Sequence, residues 1–100
     1  MNLEAGMKAT ARQQQTHPYI SKQGSVCGGR SIIERTRIPV WSLVKWYKVG
    51  FTIEDIIREF PGVTPAQVHD AFSYYYDNSA EIEQDIVDNE DEVGLRNMIR

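Results

Sequence analysis

FTIEDIIREFPGVTPAQVHDAFSYYYD, residues 51–77, is the stretch that decides the fold. It reads as two short helices joined by a tight turn. Thr52 is placed to cap the first helix, because Glu54 and Asp55 follow in the opening turn, where carboxylates favour the positive end of the helix dipole. Ile53, Ile56, Ile57 and Phe60 recur at i, i+3, i+4 and i+7, which sets them on one stripe of an amphipathic helix. Pro61 and Gly62 stop it. Thr64 is the cap of the second helix, and Pro65 takes its first position, where a missing N–H costs nothing. Val68, Ala71, Phe72 and Tyr75 repeat the same spacing. Two facing apolar stripes across a turn of about four residues are what a helix-turn-helix needs. An ordinary αα-corner with no nucleic-acid role needs the same.

Outward from this pair, residues 40–49 form a further helix, with Pro39 before it, Gly50 at its C′ position, and Leu43, Val44, Trp46 and Tyr47 on a broad apolar face. Trp41 and Trp46 are expected as core anchors. Residues 17–40 read as β: Tyr19-Ile20, Ser25-Val26-Cys27, Ser31-Ile32-Ile33 and Thr36-Arg37-Ile38 are short strand candidates, with a turn at Gly28-Gly29 and an end at Pro39. Strands this short must pack on the helices or pair with a second chain, so a homodimer is expected. Residues 1–16 lack sustained periodicity and are expected to be mobile. Residues 79–100 form an acidic helix that Ser79 would cap. Ile82, Ile86 and Val93 give it a thin apolar stripe with Val87 alongside. This is either a solvated helix or a partner-binding arm suited to a basic groove.

A chain of 100 residues suits one small domain. No apolar run approaches the ~20 residues of a membrane span, nor is there the apolar stretch of a signal peptide, so a cytoplasmic protein with no membrane contact is expected. The single Cys27 excludes an internal disulfide framework and any multi-cysteine zinc site. The net charge of −3 conceals an asymmetry: residues 1–50 sum to +6 and residues 51–100 to −9. The halves either address two partners, one anionic and one basic, or neutralise each other in the fold or across a dimer.

VCGGRSIIERTRIPV, residues 26–40, resembles the signature of the family called domain of unknown function 433, approximately C-G-G-x-P-x-I-x-G-T-R-I-P-V. FPGVTPAQV at 60–68 and Tyr74-Tyr75-Tyr76 match it as well. Ser31 stands where that pattern usually has Pro, and Arg35 where it usually has Gly. If that glycine serves a positive-φ turn, Arg35 carries strain there or the turn differs. The resemblance implies a homeodomain-like three-helical domain behind a small β element, similar to antitoxins of the VapB type that pair with PIN-like ribonuclease toxins. The expected architecture is therefore mainly α: a three-helix helix-turn-helix core with its β element over 17–78, and the acidic helix over 79–100.

Catalytic constellations do not assemble in the sequence. His17 and His69 lie in different elements, with His17 expected at the surface. Cys27 has no histidine beside it, the acidic run has no base or metal-ligand motif, and Gly28-Gly29-Arg30 lacks the phosphate-loop pattern. No enzyme and no cofactor is expected. For DNA, the second helix offers Thr64, Gln67, His69, Ser73 and Tyr74 to base edges or phosphates, but it holds no Lys or Arg and carries Asp70 and Asp77. Phosphate neutralisation would fall to Arg30, Arg35, Arg37, Lys45 and Lys48 and the tail. The leading expectation is an antitoxin-like dimer that binds operator DNA and occupies a basic toxin protein through Ile82, Ile86, Val87 and Val93. The alternative is a protein–protein adaptor in which the helix pair is scaffold alone.

Overall fold

A computed structural model describes residues 16–99, with side chains as far as residue 89. The described residues are mainly helical, with four α-helices behind a small antiparallel sheet of two strands. Strands β1 (Ile20–Lys22) and β2 (Ser31–Ile33) pair with Ile20 opposite Ile33 and Lys22 opposite Ser31. The helices are α1 (Val40–Lys48), α2 (Ile53–Glu59), α3 (Pro65–Asp77) and α4 (Ser79–Ile99). The segment 1–16 lies outside the described residues except for Thr16.

Local chemistry sets the ends of α2 and α3. Thr52 Oγ1 accepts from the Asp55 N–H at 3.0 Å, and the Asp55 carboxylate accepts from the Thr52 N–H at 3.0 Å. Thr64 and Gln67 repeat the arrangement at 3.1 and 2.7 Å. Each pair satisfies two of the N–H groups that a helix start leaves open. Gly50 follows α1 with φ +117, a conformation that glycine adopts without penalty.

The apolar stripes converge on one core of Ile33, Val40, Leu43, Val44, Ile56, Val63, Val68, Ala71, Phe72, Ile82 and Ile86. Two of these residues overturn an expectation. Ile82 is fully buried and Ile86 is 7% exposed, so α4 closes the core with the stripe assigned above to a partner. Trp46 also departs from its expected place: it is 38% exposed and rests edge-on against Phe51 at the rim. Ser79 is the first residue of α4 rather than its cap. Asn78 alone separates α3 from α4; its carbonyl accepts from the Ile82 N–H at 3.2 Å and its side chain donates to the Tyr74 carbonyl at 3.0 Å.

Two of the four expected strands are turns. Cys27, Gly28 and Gly29 all have positive φ, which takes 27–29 out of extended geometry into one short helical turn. Thr36 closes the other: its hydroxyl donates to the Ile33 carbonyl at 2.7 Å and accepts from the Ile38 N–H at 3.0 Å. The hydroxyl tightens this turn, and the chain leaves it to make a single antiparallel bridge of Ile32 with Pro39, with the Ile33 N–H donating to the Ile38 carbonyl at 2.9 Å, rather than a strand. Among the described residues no helix is long and apolar enough to cross a membrane.

Candidate functional site

Helix α3 has three distinct flanks. Val68, Ala71 and Phe72 face the core. Ala66, His69, Ser73 and Tyr76 form an exposed stripe on the other side. His69 also lines a shallow open groove of about 470 Å³ with Tyr47, Phe51 and Glu54. The third flank, with Asp70, Tyr74 and Asp77 at i, i+4 and i+7, faces the N-terminal side of the sheet.

That third flank holds His17, whose side chain is 9% exposed. Nδ1 lies 3.1 Å from Asp70 and Nε2 lies 2.9 Å from Asp77. Both partners are carboxylates, which only accept, so the two bonds form together only when the ring carries both protons. The Tyr19 N–H adds a bond to Asp70 at 2.9 Å, and the Tyr74 ring meets the imidazole edge-on. Nothing in the sequence spacing marked this clasp, because His17 and Asp70 are 53 residues apart. The expectation of His17 as a surface residue is corrected.

Helix α4 is tied to the remainder by carboxylates on both flanks. On one flank, Ser31 Oγ and the Tyr74 hydroxyl donate to opposite oxygens of Glu81 at 2.6 and 2.7 Å. Burial pushes the Glu81 carboxyl up, but those two donors and the Lys22 ammonium outweigh it and leave it below its usual range. Burial, together with the Glu81 charge, raises the Tyr74 phenol. Further along, Arg30 stands 3.4 Å from Asp85 and 3.8 Å from Asp88. Desolvation dominates at Asp85 and raises its carboxyl despite the guanidinium. On the opposite flank, Glu83 accepts from Lys48 at 2.6 Å and from the Tyr75 hydroxyl. The bond to Glu83 pushes the Tyr75 phenol up to about 12, and the Glu83 carboxyl is held low by the same two donors.

The residues expected to contact DNA are therefore divided. His69 and Ser73 are exposed, as are Arg35 and Arg37, which make no ion pair among the described residues. Thr64 and Gln67 are joined in the capping box, with Thr64 exposed and Gln67 half-buried. Tyr74 is half-buried with its hydroxyl bound to Glu81, and Arg30 stands beside Asp85 and Asp88 of α4. Arg35 has φ +66, which shows that the turn keeps its left-handed residue without glycine. Of the residues assigned to a partner, Ile82 and Ile86 are core, Val87 is 51% exposed, and Val93 lies outside the described side chains. The sequence missed Lys22 and Ser31 as site residues, and it named Lys48 for phosphate rather than for Glu83. The opposite charges of the two halves were the signal available for the two lysines.

These features define a small helical module with one exposed helix face and a terminal helix locked on by polar clips. The family model described as "Protein of unknown function (DUF433)" matches residues 20–75, and the chain belongs to that family. It is also similar to a solved relative, the crystal structure at 2.00 Å of a DUF433 member protein from Anabaena variabilis ATCC 29413. The two share 29% identity with a TM-score of 0.67, over 85% of this chain and 81% of that one. No curated protein matches the chain.

Proposed function

We propose that this chain is an antitoxin-like regulator whose α2–α3 pair acts as a homeodomain-like helix-turn-helix on operator DNA, and whose C-terminal helix engages a basic, PIN-like toxin. The observation that carries the reading is the division of α3: a buried stripe at Val68, Ala71 and Phe72, and an exposed one at Ala66, His69, Ser73 and Tyr76. A recognition helix must be held from behind and open in front, and a neutral, hydrogen-bonding front suits base edges. The exposed Arg35 and Arg37 supply phosphate contacts. The arm is supported by length. The backbone stays helical to Ile99, thirteen residues past Ile86, or about 20 Å at 1.5 Å per residue. Chain pairing into a homodimer and a cytoplasmic location belong to the same reading.

The test is a fluorescence-anisotropy titration on DNA from upstream of the protein's own coding sequence, at several salt concentrations. Binding should weaken with salt, and R35A/R37A should lower the slope of log K against log salt by about two. No binding even at low salt would remove the DNA half. The arm is tested by truncation after Asn89, which keeps Ile82 and Ile86 in the core. Neutralisation of the toxin should be lost while the melting temperature is kept.

A second reading, a protein–protein adaptor, is favoured by one specific observation. The exposed stripe of α3 contains no Lys or Arg, and Lys22, Arg30 and Lys48 are already paired with α4.

A further inference from the structure

Three cations that a polyanion would seek, Lys22, Arg30 and Lys48, stand around a single element that already occupies them. Lys48 holds Glu83 at 2.6 Å, Lys22 lies 3.4 Å from Glu81, and Arg30 lies between Asp85 and Asp88. All four carboxylates project from α4, whereas the cations come from β1, from the residue after the Gly28-Gly29 turn and from the end of α1. Ile82 and Ile86 anchor α4 in the core, so its carboxylates stay beside these cations. The Arg30 guanidinium also lies over Gly28, where a Cβ, at φ +66, would meet its Nη1 at 2.8 Å.

We infer that α4 is a built-in counterion for a basic rim of Lys22, Arg30 and Lys48, and that its carboxylates hold down the chain's affinity for polyanions such as duplex DNA. The natural ligand in this inference rests on the DNA-contacting reading above; the electrostatic restraint does not. Each phosphate that takes one of these cations displaces a carboxylate that the fold keeps in place, and the freed carboxylate lies within a Debye length of about 10 Å at 0.1 M salt and repels the phosphate. Several of the groups are exposed enough to exchange partners without unfolding: the Lys22, Lys48 and Asp88 side chains are 55%, 45% and 44% exposed.

The test compares two triple variants of the full chain that remove the same amount of negative charge. E83Q/D85N/D88N strips α4 beside the rim, and E34Q/E54Q/E59Q strips acids elsewhere. The α4 triple should elute from immobilised heparin at clearly higher salt than the control triple. Its log K against log salt on a short duplex should steepen by about two, the number of cations released by the loss of Glu83, Asp85 and Asp88. Adding R30A/K48A should return it to wild-type behaviour. Equal shifts in the two triples, or none, would overturn the inference, because net charge and not placement would then decide. A gain on heparin with no duplex binding by any chain would keep the restraint and sink the DNA reading. Should the α4 triple melt early, E83Q/D88N against E54Q/E59Q makes the same comparison at more exposed positions: a larger heparin shift for the α4 pair supports the restraint, and equal shifts overturn it.

Discussion

Ser31 Oγ and the Glu81 carboxylate meet at 2.6 Å although fifty residues separate them, and the contact joins β2 to α4. Ser31 is 1% exposed, and its hydroxyl lies 3.0 Å from that of Tyr74, the second donor to Glu81. Three elements are thus closed by one carboxylate.

Ser31→Ala should therefore destabilise the fold by about 1–3 kcal/mol, since it leaves a partly buried carboxylate one donor short. A double-mutant cycle with Glu81→Gln, read by urea denaturation, should show coupling between the two sites. Additive losses would mean that the contact contributes nothing beyond packing.

The two faces of α4 should respond differently to truncation. Ile82→Ala opens a cavity in the core and should cost about 2–5 kcal/mol, whereas Val87→Ala, at a 51% exposed position, should stay within about 0.5 kcal/mol. Thermal melts of the two variants check this. A stable Ile82→Ala would place that side chain outside the core.

Arg35 sits at φ +66, where a side chain carries a penalty of about 1–2 kcal/mol. Arg35→Gly should be as stable as the parent or up to ~1 kcal/mol better, while Arg35→Val should be worse by a similar amount. Denaturation midpoints decide it, and a stable valine variant would contradict the left-handed turn.

Stability should fall on acidification through Glu81 and Glu83. Both carboxyls are held below their usual value of 4.5 in the folded chain, so their contribution is present above that value and is lost as pH drops through the lower folded values. Asp85, which is raised, acts in the opposite sense. Urea midpoints from pH 7 to 3 should decline, and E81Q/E83Q should flatten the decline.

The sequence alone determined what is local. Thr52 and Thr64 as caps, Pro65 at the helix start and the stripe from Val68 to Tyr75 are all settled within one or two turns of backbone, so spacing reveals them, whereas Gln67, expected at DNA, is drawn back onto the Thr64 cap. β2 at Ser31–Ile33 and α1 at Val40–Lys48 followed from the same kind of pattern. It also announced two oppositely charged halves, but not whether they would meet. Tertiary structure decided that. His17 with Asp70 and Asp77, Ser31 with Glu81, Arg30 with Asp85 and Lys48 with Glu83 bridge 35 to 60 residues, and contacts at such separations depend on how the helices pack, which no spacing rule encodes. The same packing turned Ile82 and Ile86 inward. An amphipathic stripe states that a face will be buried, not against what, and here the chain's own core claimed it.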